Sequence, residues 1–204
     1  MQVKTFYAGG FAAVSYLVTD DAGKYGVLID PAVPYETVMM QTVPMPHIVA
    51  LLLTHGHFDH MLTLAVWKEK TGAPICITQE DAPALGDAYL NCNRYFFDKE
   101  ITYPLADRLL TEKDEIVFGD ERLSVMLTPG HTAGSCVYVG DGVLFTGDTM
   151  MADGGYGRYD LPGGSPTALY ASLAKIAAMQ GDFVLYPGHG RASALKEEKN
   201  FYIR

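Results

Sequence analysis

The run Thr54-His55-Gly56-His57-Phe58-Asp59-His60 follows directly on an uninterrupted apolar stretch, residues 48–53. An apolar stretch without polar alternation suits a strand covered on both faces, so the chain must place other structure on either side of a sheet. The residues at the end of that strand are of a different kind. Three of the chain's six histidines lie between positions 55 and 60 together with an aspartate, and imidazole nitrogens and carboxylate oxygens are donors that zinc, iron and manganese accept. His55 and His57, two apart in an extended loop, point to one side, and the turn into a helix at Met61 would bring Asp59 and His60 round to the same cavity.

The same punctuation recurs downstream. Thr128-Pro129-Gly130-His131 follows a β-rich run at 123–127, Phe145-Thr146-Gly147-Asp148 follows Val143, and Tyr186-Pro187-Gly188-His189 follows Phe183. Each candidate ligand ends a predicted strand on a short glycine-bearing loop, where α/β folds put reactive groups. Five histidines and two aspartates exceed the needs of one four-coordinate ion and suit two ions sharing a carboxylate and a water. His47 has no partner in sequence and reads as a surface residue.

The elements around these loops form a pattern. Residues 3–7, 11–18 and 25–29 predict an antiparallel meander, 35–43 a short helix, 61–70 a longer one and 75–78 a strand. Residues 80–105, with Pro83, Gly86, Pro104 and several aromatics, predict one long irregular connection. Strands return at 116–118, 123–127, 135–139 and 143–146, followed by a glycine-rich loop at 154–164, an amphipathic helix at 166–179, a strand at 183–186 and a terminal helix. Both halves run strands first, then helix and strand. This predicts an α/β fold, an αββα sandwich of two mixed sheets face to face with helices outside, in one domain spanning 1–204.

Fifteen Lys and Arg against 24 Asp and Glu leave a formal charge of −9, which offers no basic field to a nucleic acid. No apolar run reaches the roughly 18 residues of a membrane helix, and no leader pattern opens the sequence, so a cytoplasmic chain is expected. Cys76, Cys92 and Cys136 are odd in number and far apart, which fits neither a disulfide framework nor a metal knuckle.

The pattern His-x-His-x-Asp-His, then His131, Asp148 and His189, resembles the metallo-β-lactamase superfamily. The resemblance implies that His55, His57 and His131 hold one metal, that Asp59, His60 and His189 hold a second, and that Asp148 bridges them. Within the superfamily three segments, Thr128-Pro-Gly-His-Thr-Ala-Gly-Ser135, Phe145-Thr-Gly-Asp-Thr149 and Gly157-Arg-Tyr-Asp-Leu-Pro-Gly-Gly-Ser165, are similar to short glyoxalase II-like (hydroxyacylglutathione hydrolase-like) enzymes. That likeness implies two divalent metal ions, zinc first, with iron or manganese suited to the same donors. It also implies hydrolysis of a small-molecule thioester such as S-lactoylglutathione by a metal-bridging hydroxide, in a monomer or homodimer. Asp59 would serve as ligand and as a group able to move a proton. The C-terminal helical domain of full-length glyoxalase II is not expected, the Asn many relatives carry near Ala13-Val14-Ser15-Tyr16 is absent, and the tail 199–204 lacks the usual Asn-Pro. Persulfide dioxygenases share these motifs and would hold one iron through His55, His131 and Asp148, and lactonases share the site as well.

Other residues carry weaker expectations. Arg158 and Asp160 read as orienting Asp148 or Asp59 from behind rather than as a simple loop-fixing pair, with Tyr156 on the same substrate loop. Tyr95, Phe96 and Phe97 read as core aromatics before cleft walls, as do Tyr156 and Tyr159. The pairs Met39-Met40 and Met150-Met151 read as core fillers, with the second pair near enough to Asp148 to reach the pocket. Cys136 reads as buried and inert.

Overall fold

The computed structural model describes residues 1–202. Ile203 and Arg204, the end of the tail read above, lie outside the described residues. The first half of the chain builds one six-stranded sheet. Strands β1 (Gln2–Phe6), β2 (Ser15–Thr19) and β3 (Tyr25–Ile29) run antiparallel, and β4 (His47–Leu52), β5 (Ile75–Thr78) and β6 (Arg108–Leu110) continue parallel to β3. The second half builds the other. Strands β7 (Glu115–Phe118), β8 (Glu121–Leu127), β9 (Cys136–Gly140) and β10 (Val143–Gly147) form an antiparallel meander, β11 (Val184–Pro187) pairs parallel with β10, and β12 (Ser193–Ala194) ends the sheet.

Each parallel pair needs a crossover, and helices supply most of them. Helix α1 (Tyr35–Gln41) joins β3 to β4, and α2 (Leu64–Thr71) joins β4 to β5. A short helix α3 (Asn93–Phe97) lies in the connection from β5 to β6, α4 (Pro166–Ala177) joins β10 to β11, and α5 (Leu195–Glu198) follows β12. The expected α/β sandwich with helices around it is what the chain forms.

Side-chain alternation explains the apolar runs. Along β2, Tyr16 and Val18 face the core between the sheets with Val27, Ile29, Leu52, Tyr138 and Phe145. Leu17 points the opposite way and meets Leu28, Leu51, Val38 of α1 and Trp67 of α2. With both faces covered, a polar residue inside the strand would lose its water, so the three central residues of β2 are apolar and its polar residues, Ser15 and Thr19, stand at the ends, where Ser15 Oγ donates to Asp30 O and accepts from Ala32 and Val33 N–H. On the second sheet, Val137, Leu144 and Leu185 pack against Leu169, Leu173 and Ile176 of α4. Burying one such side chain is worth about 1.5–3 kcal/mol, which is why α4 has an apolar stripe despite its exposed outer face.

Three elements differ from expectation. The strand expected at 11–18 starts only at Ser15, because Gly9 and Gly10 both take the left-handed conformation (φ 78° and 64°) and turn Phe11 out to solvent. The helix expected from Met61 begins at Leu64, after a tight turn at Phe58–His60. The irregular 80–105 connection contains α3, organised by buried Asn91, whose amide donates to the carbonyls of Ala84 and Ile101 and whose oxygen accepts from Asn93. Met39 and Met40 are exposed rather than core, whereas Met150 is fully buried in the core under α4. His47 is exposed at the start of β4, as expected of a surface residue, and Cys136 is buried at the start of β9.

Several bonds tie the two sheets together at one end. The Tyr138 hydroxyl donates to Leu53 O, Cys136 N–H donates to Thr54 O, and the Tyr16 hydroxyl donates to Pro187 O. The loops after β4, β8, β10 and β11 therefore meet over one edge of the sandwich.

Candidate metal centre

Those loops bring all seven sequence candidates together. His55, His57 and His131 offer donor atoms within 4.8 Å of one another, as do Asp59, His60 and His189, and so do His55, His60 and Asp148. Asp148 stands between the first two sets: one carboxylate oxygen is 3.3 Å from His60 Nε2, and the other is 3.6 Å from His131 Nε2 and 3.7 Å from His189 Nε2. Close approach at this point needs glycine. A Cβ on Gly188 would collide with the Asp148 carboxylate and His60, and one on Gly157 would lie 2.6 Å from His131 Nδ1.

The rings are held from behind. Asp30, buried at the end of β3 with φ 50°, accepts from Thr54 N–H, from the Thr54 hydroxyl and from His60 Nδ1, each at 2.8 Å. The Thr54 oxygen in turn lies 3.1 Å from His55 Nδ1, and His131 Nδ1 donates to the Arg158 carbonyl at 2.6 Å. In all three histidines the outer nitrogen lies beside an oxygen that can accept from it, so each ring turns its Nε2 inward, toward the other donors of the cluster. Among the described residues Asp81 forms no hydrogen bond to any of the rings. Its carboxylate accepts from Gly56 N–H, Gly134 N–H and the Thr132 hydroxyl at 2.7–2.8 Å, clamping the loop after β4 to the loop after β8.

The electrostatics fit cation binding. Burial, then the neighbouring histidines, push His55 well below its ordinary pKa, and burial lowers His57 to about 3. Both rings are neutral donors at neutral pH. For Asp148 burial favours the neutral acid, but His60, His131 and His189 outweigh it and hold the carboxylate below its usual range. Asp59 is lowered against burial by His60 and His189. Burial likewise opposes charge on His60 and His189, yet Asp30, Asp148 and Asp59 raise the first and Asp59 and Asp148 the second. Two ionised carboxylates thus stand among imidazoles in a buried pocket. His57 Nε2, His60 Nε2 and Asp148 Oδ1 are buried without a hydrogen-bond partner. Such atoms cost about 1–3 kcal/mol each when left unsatisfied, and all three face the space that metal ions would fill, so the donor set fits the group that the pattern implies.

The family model described as the metallo-beta-lactamase superfamily matches residues 8–189. The chain belongs to that superfamily. The Bacillus subtilis (strain 168) protein named probable metallo-hydrolase YqgX is 34% identical over 154 residues, covering 74% of this chain and 73% of its own. The crystal structure of BLEG-1 B3 metallo-beta-lactamase superposes with a TM-score of 0.89 at 30% identity, covering 98% of this chain and 97% of its own. TTHA1623 in a di-iron-bound form gives 0.80 at 32% identity (97% and 96%), and ETHE1 from Myxococcus xanthus gives 0.80 at 26% (100% and 84%). The metallo-beta-lactamase fold binds metal ions, and members of the superfamily are mostly metal-dependent hydrolases.

Other expectations change. The Arg158 side chain reaches neither Asp148 nor Asp59; it forms a two-bond pair with Asp160 at 2.7 Å, both groups exposed. What orients the site is the Arg158 main-chain carbonyl, which a sequence motif cannot distinguish from its side chain. Phe96 and Phe97 are not core: they line the cavity above the cluster, with Tyr156 and Met151, while Tyr95 and Tyr159 are part-exposed outside it. Asp30 and Asp81 were not anticipated. Both follow strands, as the ligand candidates do, and that placement was the available signal.

Proposed function

We propose that the protein is a metal-dependent hydrolase that cleaves a thioester, with His55, His57 and His131 holding one divalent ion, Asp59, His60 and His189 another, and Asp148 shared between them. The observation that carries this reading is the reach of Asp148 to histidines of both sets, beside three buried donor atoms that have no other partner. Ions bound there would supply a water of lowered pKa and a Lewis acid for the carbonyl oxygen. The chain's own residues set the stage for that chemistry. Asp30 and the Arg158 carbonyl hold the Nδ1 atoms of His60 and His131, so both rings turn Nε2 toward the space the ions would fill. Asp59 accepts from His189 at 3.1 Å and borders the cavity, where it is placed to take a proton from an attacking water. A thiolate leaves without general-acid help, and no acid on the far wall is required.

The likeness to ETHE1 favours a second reading, in which His55, His131 and Asp148 hold a single iron for persulfide oxidation. Elemental mass spectrometry of the purified protein, run with thioester hydrolysis and with oxygen uptake on glutathione persulfide, separates the two. Two metals per chain with hydrolysis supports our reading. One iron with persulfide-dependent oxygen uptake overturns it.

A further inference from the structure

A cavity of about 520 Å³ opens above the cluster, within the range of small-ligand sites. Its floor is the cluster itself, through His57, Asp59, His131, Asp148 and His189. Its walls differ completely. Phe11 projects from the loop between β1 and β2, Phe96 and Phe97 from α3, Phe58 from the turn before α2, and Leu161 from the glycine-rich loop. The rings support one another edge to face: Phe58 and Phe97 lie 5.2 Å apart at 86°, and Phe11 and Phe97 6.0 Å apart at 73°. Phe11 is 73% exposed, Phe96 46% and Phe97 41%. Large aromatic faces left open to water at the mouth of a polar site mark a surface meant to be covered.

The wall is also poor in charge of the sign that an anionic carrier needs. Among the described residues lining the cavity, Arg158 is the only Lys or Arg, and its guanidinium is already engaged with both oxygens of Asp160 while lying 5.9 Å from the Phe96 ring. Glutathione carries two carboxylates, and other biological thiol carriers bear phosphates. This wall offers them no free cation, whereas the aromatic faces offer a place for hydrocarbon. A charged carrier would have to extend through the open mouth, which leaves the enclosed space to the acyl side.

We infer that the aromatic wall formed by Phe11, Phe96 and Phe97 binds an uncharged apolar acyl chain, alkyl or aryl, beside the scissile carbonyl. This rests on the hydrolase reading for the reaction but not for the binding.

The test begins with calorimetric binding of the straight-chain carboxylates, acetate to decanoate, to the metal-loaded protein. The carboxylate end is common to the series, so the dependence on chain length reads the wall alone. Burying a methylene is worth about 0.8 kcal/mol, so affinity should rise about two- to fourfold per methylene until the cavity fills. Phe97→Ala should flatten the slope and Phe97→Leu should keep most of it, since both leave the cluster untouched. The N-acetylcysteamine thioesters of the same acids, compared with S-lactoylglutathione, then report on turnover, and the longer acyl chains should give at least a tenfold higher kcat/KM. Affinity independent of chain length, or a slope unaltered in Phe97→Ala, overturns the inference even if thioesters are hydrolysed. A steep slope without any thioester hydrolysis leaves the acyl site standing and defeats the hydrolase reading instead.

Discussion

The floor and the rim of the cavity are built on opposite plans. On the floor, His55, His57, His60 and His131 are buried, and His55, His60 and His131 are each gripped from behind by an acceptor, while two carboxylates, Asp30 and Asp81, tie the ligand loops to the sheet ends and to each other. At the rim, Phe11 is largely and Phe96 and Phe97 are partly open to water, and they are held by ring contacts and by glycine-bearing or single-turn segments. Over-determination of this kind fixes donor atoms to the tolerance that metal geometry demands. A loosely held apolar rim can change its side chains without disturbing that geometry. The reaction class therefore belongs to the floor, and the choice of substrate belongs to the rim.

The contrast can be broken at its strongest point by Asp148→Ala. It removes the one carboxylate that reaches both histidine sets, so elemental analysis should find most bound metal lost and kcat/KM should fall by about a hundredfold to ten-thousandfold, the scale of several kcal/mol of lost transition-state stabilisation. Metal retained at both positions would show that Asp148 is not shared.

One step out, Asp81→Ala leaves two buried N–H groups and a hydroxyl without their acceptor. Unfolding in denaturant should show a loss of about 1–3 kcal/mol for each group that water cannot reach. Asp30→Asn should weaken metal binding about ten- to a hundredfold with the fold retained, measured by competition with a chelator. A protein in which either change leaves both metal affinity and stability unaltered would not have the clamped floor described above.

At the rim, Phe96→Ala should alter KM while metal content stays at the wild-type value, because the ring packs on Phe58, Tyr95 and Phe97 and offers no donor to a metal. The smallest effect is expected from Asp160→Ala, which releases the Arg158 side chain in solvent. Since His131 is oriented by the Arg158 carbonyl, metal content and thermal stability should match the wild type. A loss of metal in Asp160→Ala would return the side-chain pair to an orienting role.

The layered fold was legible because it rests on local periodicity. Strands such as β2 and β4 are apolar at both parities only when both faces are covered, and α4 carries the stripe of a helix laid on a sheet. The seven donors were legible for a related reason: each sits on the loop directly after a strand, so a parallel or meandering sheet must bring them to one edge whatever the details of packing. Where reading stopped, the missing information was non-local. The Phe11 strand failed because two left-handed glycines turn the chain toward the site. Cavity aromatics and core aromatics have the same composition, and only the packing of α3 over the cluster separates Phe97 from Phe145. Asp81 is unremarkable in sequence and becomes a clamp through partners 25 and 53 residues away. The sequence by itself determined the sandwich and the chemistry of the floor, because strand periodicity and donor type are properties of short segments. Which nitrogen of each histidine faces the metal space, and which rings stand in the rim, were decided by the tertiary structure, because both depend on groups that meet only after the two sheets have closed.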